Sequence, residues 1–502
     1  MSPISDLGNL CAKSFRASVD VSHLTDAKGR WLPLPEKQPI PWARLFLRDY
    51  FETSEGALRL AFWRDQWWVW TGSVWQQTKK CDIEGAIYQA FTHAQVQTKS
   101  ARDISDGRPF ACDSRKVELI LDALRAFVRL SDEVEPFQWF ERCETDPDPR
   151  NLIACRNGLY DLARRRLHAP DRRFMATSVA DWAYEPGREQ LEFNRFLSGL
   201  WPKDDATRAF LQEVVGYMLS GHRSLHKIPV LIGPTRSGKS LILNLLGKIL
   251  GPDLAVTLGT AAIGETFGLQ GVIGRRLAAV ADMRLKRQVD HGALAERLLT
   301  FSGEDGGSIP RKNRPDWQGT PSAKLIFAAN EIPQIQDDSG AIAARLLPIV
   351  FEKSFLGAED PKLSEKLAAE IPAIVEWAAV GFDRLMKRGR FQLPPASAAL
   401  VASVRADASP VATFVASCCE VGPTREVGKG ELFDSWNCWA KANHEREIDR
   451  RRFGRALRSS VSGLSEIKRG PRGAQVEHYV GIGLASTPSG LVSSYSALRD
   501  HV

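Results

Sequence analysis

The stretch "IPVLIGPTRSGKSLILNLLGKIL" (residues 228–250) decides the fold. It opens with an apolar run, Ile228 to Ile232, of the length and composition of a buried strand. It closes with Leu241, Leu243, Leu245, Leu246 and Leu250, the apolar face of a helix that stops at Gly251-Pro252. Between them Gly233, Gly238, Lys239 and Ser240 stand at the spacing G-x-x-x-x-G-K-S. Glycine lets backbone N–H groups turn inward, and the helix N-terminus adds unpaired N–H groups that favour an anion. The reading predicts a nucleoside triphosphate site made of Gly233, Pro234, Thr235, Arg236, Ser237, Gly238, Lys239, Ser240 and Leu241. Lys239 would reach the β- and γ-phosphates and the Ser240 hydroxyl would sit on a magnesium ion, so ATP and Mg²⁺ are the expected cofactors. An ordinary glycine-rich strand-to-helix turn is the alternative.

The bulk numbers frame this motif. At 502 residues the length prior is about three domains. With 43% hydrophobic and 25% charged residues the composition is that of a globular protein. No run approaches a transmembrane span, and "MSPISDLGNLCAKSF" lacks the basic-then-apolar order of a signal peptide, which predicts a cytoplasmic protein without a membrane partner. The eight cysteines show no CxxC spacing, which argues against zinc and, in that compartment, against disulfides; they read as buried small hydrophobes. The net charge of +7 points to an acidic partner.

Outward from the motif, the chain divides into a Pro-punctuated lead-in (1–40), a mixed region (41–195), a core of alternating strands and helices (196–395), a compact basic segment (405–485) and a tail (486–502). "FQLPPAS" (391–397) is the break between core and basic segment. In the mixed region, Trp68, Trp70 and Trp75 flank a Thr71-Gly72 turn, as a β-hairpin would. Such aromatics either stack on bases or fill a small domain's own core, and the core reading is the stronger.

A phosphate loop alone only binds, so hydrolysis needs polar groups from neighbouring strands. "RRLAAVADMR" (275–284) is an apolar strand ending in Asp282, where an acid would hold Mg²⁺ or polarise water. "AKLIFAANEIP" (323–333) ends in Asn330, suited to positioning a water. "DDSGAIAARLLPIVFEKSF" (337–355) carries Arg345 on a helix before a third strand, as an arginine finger or as the partner of Asp337 or Asp338.

Taken in order, GPTRSGKS, the acid-ended strand, "SGEDGGSIPRKNR", "FAANEIP" and "DDSGAIAARLLPIVF" resemble a superfamily 3 helicase. The match is to the helicase module of the phage and plasmid primase family, which is similar to the poxvirus primase-helicase. "NLIACRNGLYDLARRRLHAP" (151–170) resembles the domain that precedes the motor in that family, and 355–391 its helical lid. The resemblance implies an AAA+-type fold, assembled as a ring, usually a hexamer, that pumps single-stranded DNA in the 3′-to-5′ direction. It implies Lys239 and Ser240 as Walker A, Asp282 as Walker B acid, Asn330 as sensor and Arg345 as a finger acting on the neighbouring subunit. The segment around Gly306, Gly307 and Pro310 matches a pore hairpin whose Arg311, Lys312 and Arg314 would meet DNA phosphates; a solvated loop is the other reading. Asp282 is followed by Met283, where many ATPases have a second acid, so the base is Asp282 itself, Glu304 or another acid.

Residues 408–485 read as three helices and a hairpin, with ten Lys/Arg against five Asp/Glu in 441–480. That is the pattern of a winged helix, whose Arg451, Arg452, Arg455, Arg458, Lys468 and Arg469 would meet phosphates; a basic solvated helix is the other reading. The expected fold class is therefore α/β, an AAA+-type P-loop core between a mixed α/β N-terminal domain and a C-terminal winged helix. The expected function is ATP-dependent unwinding of DNA during replication of a phage, plasmid or mobile element, on single-stranded and forked duplex DNA, with a separate primase. The alternatives are an ATP-switched origin-binding or scaffold protein and a primase-helicase.

Overall fold

A computed structural model of the chain describes residues 38–53, 56–96, 108–263, 265–281, 283, 291–303, 306–332, 341–408, 410–443, 445, 447–471 and 475–485. The expected tail, most of the lead-in, Asp282, Glu304, Asp337 and Asp338 lie outside these residues. The chain divides into two units, one of residues 1–146 and 170–179, the other of 147–169 and 180–502. The division does not coincide with the boundary near 195 read from the sequence.

In the first unit, helix α1 (Pro39–Phe46) lies with α2 (Lys80–Phe91) and α3 (Ser114–Val128) around a core of Trp42, Phe46, Ile87, Phe91, Ile120 and Leu124. Strands β1 (Leu60–Trp63), β2 (Gln66–Trp70) and β3 (Trp75–Thr78) form an antiparallel sheet in which Trp70 pairs with Trp75. Trp63, Trp70 and Trp75 are buried around Met175. The indole N–H of Trp75 donates to the Arg172 carbonyl at 2.8 Å, so the tryptophan hairpin is core and the returning segment 170–179 completes it. The pair β4 (Gln95–Val96) and β5 (Arg108–Pro109) closes the unit's sheets.

The second unit begins with a small antiparallel sheet, β6 (Leu152–Cys155), β7 (Gly158–Asp161) and β8 (Arg166–His168). Arg276 stitches this sheet to the rest of the unit: its Nη1 donates to the carbonyls of Leu152 (2.8 Å) and Leu219 (3.2 Å). Helices α4 (Leu191–Leu200) and α5 (Asp205–Leu219) then lead to the central sheet of β9 (Ile228–Ile232), β10 (Ala255–Leu258), β11 (Leu277–Val280), β14 (Lys324–Ala329) and β15 (Leu346–Val350). Its order is β10-β11-β14-β9-β15, with every neighbouring pair parallel. Strands β9 and β14 are buried at every position, as parallel strands covered on both faces must be. Helix α6 (Lys239–Leu250) follows β9, α7 (His291–Ser302) precedes the hairpin of β12 (Gly307–Arg311) and β13 (Arg314–Gly319), and the short α8 (Ala341–Arg345) precedes β15. Helices α9 (Leu363–Ala369) and α10 (Ile371–Arg388) form the expected helical segment, and α10 packs on α5 through buried Glu213, whose Oε1 accepts from Arg384 at 2.7 Å. The core is thus a mixed α/β layer with a parallel sheet of P-loop-like form.

After α11 (Pro395–Ala408), the basic segment runs α12 (Pro410–Cys418), β16 (Cys419–Gly428), α13 (Lys429–Ala442), α14 (Arg450–Ser460), β17 (Ser465–Arg469) and β18 (Val476–Leu484). Three helices and a hairpin are present, but β16 was not anticipated; it pairs with β18 to make a three-stranded sheet, β16-β18-β17. Its residues Gly422, Pro423 and Thr424 hide a strand from a propensity reading, and the ladder shifts register between Val421 and Glu426 to absorb them. The cysteine expectation also needs correction. Cys81, Cys143 and Cys438 are exposed and only Cys155 is buried among the described cysteines, all of which are free. No described helix is long and apolar enough to cross a membrane.

Candidate nucleotide site and nucleic-acid interface

Because β9, β11 and β14 run parallel, their C-terminal ends share one edge of the sheet, where ligands of open α/β folds are held. The loop leaving β9 is built into that edge. The Gly233 N–H donates to the Ala329 carbonyl at 3.3 Å, and a Cβ at Gly233 would come within 2.1 Å of the Phe351 carbonyl, so only glycine fits. Phe355 N–H donates to Arg236 O (3.0 Å) and Ser354 Oγ to Thr235 O (2.8 Å), which fastens the loop's outer side. Arg236 Nε lies 3.5 Å from Glu359. Gly238 turns with φ +92° and caps α6, and its Cβ would lie 2.9 Å from the ring of Phe196 on α4.

Lys239 begins α6 with its side chain folded back into the loop. Nζ donates to the carbonyls of Gly233 and Pro234, each at 2.7 Å, and to Ser237 Oγ at 3.1 Å. The helix start has no side-chain cap, so its leading N–H groups are turned to the same loop. Ser240 is exposed on the first turn. A buried ammonium, a bare helix N-terminus and an exposed hydroxyl fit a phosphate chain with a divalent cation.

The other expected residues are spread over both edges of the sheet. Asn330 directly follows Ala329, which pairs with Ile232, and so stands exposed beside the start of the loop. Asp282 lies outside the described residues; the strand before it is in place, and the Met283 N–H donates to the Ala328 carbonyl at 2.8 Å. Arg345 lies just before β15, whose Leu346 pairs with Ile228 at the start of β9. It is therefore at the opposite edge of the sheet from the loop, about 16 Å away for a strand of five residues. Its Nη1 donates to Leu299 O (2.6 Å) and Ser302 Oγ (2.7 Å) at the end of α7. The partners expected from the sequence, Asp337 and Asp338, lie outside the described residues.

The expected pore hairpin is a hairpin, with Arg311 opposite Arg314 and Lys312-Asn313 at the turn, Asn313 at φ +58°. Arg311 Nε donates to Pro315 O at 2.7 Å, and Gln270 Oε1 accepts from Lys312 N–H at 3.2 Å. Arg311, Lys312 and Arg314 thus share one exposed or half-exposed tip. In the basic segment Arg451, Arg452 and Arg455 stand exposed on α14. Three of the six expected cations are held by carboxylates instead: Arg458 by Glu466, Arg469 by Glu426 at 3.0 Å and Lys468 by Glu477 at 3.9 Å. The sequence reading missed Phe196, Ser354, Phe355 and Gln270, because no local spacing marks a residue that supports a loop from elsewhere in the chain.

A cluster of buried cations lies at the other edge of the sheet. Arg276 and Lys324 are 6% and 3% exposed, and their acceptors are backbone carbonyls; Lys324 Nζ reaches His222 O at 3.1 Å. Burial and the neighbouring Arg276 hold Lys324 well below the usual lysine range, and burial pushes Arg276 down to about 10. His222, whose Nε2 lies 2.9 Å from the acceptor Oδ1 of Asn151, is pushed down to about 4 by burial and by Arg150.

Comparison with known proteins agrees with this architecture. Residues 44–202 match the model described as D5 N terminal like, and residues 231–345 match a family of unknown function, DUF5906. The second match runs from the strand before the loop to Arg345. "Putative helicase 121R" of Invertebrate iridescent virus 3 is 27% identical over 229 residues, which cover 41% of this chain and 23% of the viral protein. The chain thus matches less than a quarter of that relative's length. The apo structure of the NrS-1 C-terminal region is similar at a TM-score of 0.50 and 11% identity, covering 89% of this chain and all of that one. Its A form gives 0.49 and 10% with the same coverage. At such identity the likeness speaks for the fold alone. The D5 N-terminal-like segment and the likeness to a viral protein named a putative helicase make the chain similar to the phage and viral primase-helicases.

Proposed function

We propose that the chain is an ATP-driven ring motor that unwinds DNA during replication of a phage, plasmid or mobile element. The observation that carries the reading is the placement of Lys239 and Asn330 at one edge of the sheet and Arg345 at the other. A cation about 16 Å from its own loop has no part in hydrolysis there, but a neighbouring copy would receive it. The strand order, with β9 between β14 and β15 and β11 one strand further out, supports an AAA+-type core.

In this reading the helix N-terminus and Lys239 bind the phosphates of ATP, Asn330 orients water, and Arg345 of the adjacent subunit stabilises charge in the transition state. Ser240 and Asp282 would hold Mg²⁺, which when bound neutralises charge on the phosphates. Arg311, Lys312 and Arg314 grip single-stranded DNA, and the basic segment acts as a winged helix with α14 as its DNA-facing helix. Charge pairing in β17 and β18 leaves the exposed Arg451 and Arg455 as the main phosphate contacts.

The test is steady-state ATP hydrolysis with and without single-stranded DNA, for the wild type, Lys239→Ala, Arg345→Ala and a mixture of the two variants. The motor reading expects DNA-stimulated turnover, two dead variants and partial recovery on mixing, since a mixed ring recreates sites with both residues. Wild-type protein that binds ATP and DNA but turns over no faster than Lys239→Ala overturns it, in favour of an ATP-switched binding protein.

A further inference from the structure

The hairpin of β7 and β8 turns on "DLARRRLH" (161–168), and its tip carries Arg164, Arg165 and Arg166, all exposed. The turn beneath them is firmly held. Asp161, buried at the end of β7, accepts on Oδ1 from the N–H groups of Ala163 (2.9 Å) and Arg164 (3.1 Å), and the buried Leu162 donates its N–H to Asn151 O at 3.0 Å. Among the described residues, neither Arg165 nor Arg166 has a carboxylate partner, although Arg166 stands directly across the ladder from Asp161; Arg164 Nη1 lies 3.8 Å from Asp161 Oδ2. By contrast Arg156 is matched by Asp181, Arg195 by Glu192 at 2.6 Å and Arg469 by Glu426. Arg165 also holds φ +49°, a left-handed position that glycine or asparagine takes with less strain. Leu152, opposite Asp161 in the ladder, accepts from the buried Arg276, so a further cation with backbone acceptors lies behind the turn. Arg276 directly precedes β11, which places this hairpin at the edge of the sheet where β11 and β14 begin; β13 leads into β14 at that same edge.

We propose that the β7–β8 turn is a further DNA contact of this chain, one that grips the phosphate backbone of duplex DNA without reading its bases. This rests on the DNA-unwinding reading above. Guanidinium groups stay charged and match phosphate oxygens in pairs, so three of them on one turn suit a row of phosphates. The tip residues 162–166 are Leu, Ala and three Arg, with no aromatic ring on which an unpaired base could stack and no amide to read a base edge. A duplex hides its bases in the stack and presents its phosphates, which is the surface such a tip can hold. Because Asp161 and Leu162 already fix the turn, binding orders little backbone, and the buried Arg276 adds to the positive field behind it. The left-handed Arg165 fits the same reading, since glycine would relieve the strain but make no contact. One edge of the core then carries both contacts, a single strand on the β12–β13 tip and the adjoining duplex on the β7–β8 tip.

The experiment uses the full chain, a short blunt duplex and an oligo-dT strand, with binding read by fluorescence anisotropy over a salt series. One variant combines Arg164→Ser, Arg165→Gly and Arg166→Ser; glycine suits the left-handed position, so its thermal midpoint should hold or rise. On the duplex, the slope of log K against log salt should fall by about 2 to 3, near 0.9 for each phosphate no longer neutralised, and affinity at low salt should drop at least about tenfold. Binding to oligo-dT, and the ATP hydrolysis it stimulates, should match the wild type. A second variant, Arg164→Lys with Arg165→Lys and Arg166→Lys, keeps the charge and should keep the slope. A duplex slope within about 0.5 of the wild type in the Ser-Gly-Ser variant overturns the proposal, and so does an equal loss on duplex and oligo-dT, which marks a field felt by any DNA. Wild-type protein that binds neither DNA sinks the unwinding reading and this contact together, whereas wild-type protein that binds oligo-dT but not the duplex sinks the contact alone.

Discussion

At the scale of single residues, the site depends on atoms that are missing. Gly238 holds φ +92° with the Phe196 ring where its Cβ would go. Gly238→Ala should therefore weaken nucleotide binding at least about tenfold, from left-handed strain of roughly 1–2 kcal/mol plus the clash. Titration with a fluorescent ATP analogue checks this, and an unchanged Kd would refute it. His222 gives a prediction with a sign. Its folded value of about 4 lies below the ordinary 6.5, with burial as the first cause and Arg150 as the second. The unfolded chain thus takes up the proton first as pH falls, and stability declines from about pH 6.5 towards 4. His222→Gln should flatten the loss of thermal midpoint between about pH 7 and about pH 5, and an equally steep loss in the variant would show that other groups govern it. Neither effect is written in a motif. The glycine was legible as part of G-x-x-x-x-G-K-S, but the partner that makes it indispensable sits on α4, well upstream in the chain.

At the scale of elements, α14 and the β17–β18 pair look equally basic in sequence and differ in three dimensions. Arg451 and Arg455 face solvent, whereas Lys468 and Arg469 face Glu477 and Glu426. If the segment binds DNA, Arg451→Ala with Arg455→Ala should lower the slope of log K against log salt by about 2, close to one for each phosphate no longer neutralised. Lys468→Ala with Arg469→Ala should lower it less, because each removal also frees a carboxylate. Equal slopes for the two pairs would contradict this division. Strands and helices with strong periodicity were legible: β9, α6, β14 and β15 lie where their apolar patterns put them, while α10 falls within the segment read from resemblance alone. Strand β16 was not, since its Gly-Pro interruption carries no strand signal and its place is dictated by pairing with β18, far along the chain. Arg345 was legible as a cation before a strand, but its seat on α7 depends on tertiary approach that no spacing encodes.

For the whole molecule, the distance between Arg345 and its own loop would make the proposed activity a property of an assembly. Turnover per chain should rise with protein concentration, and Arg345→Ala subunits added to wild type should depress activity at sites they neighbour; turnover per chain independent of concentration down to the nanomolar range would refute this. The parallel core was legible from one loop and three strand endings. The path of the chain between its two units was not, because the sequence around 146–180 has no linker composition. That path has a consequence of its own. The chain leaves the first unit after residue 146, returns for 170–179 and leaves again, and Met175 is part of the tryptophan core. During synthesis, the first unit therefore lacks a wall of its core until residue 179 has been made, by which time β6, β7 and β8 of the second already exist. No single cut separates the two units with both intact, so a recombination event that swaps one must carry the crossing segment with it. Evolution has to trade this region as one piece of gene.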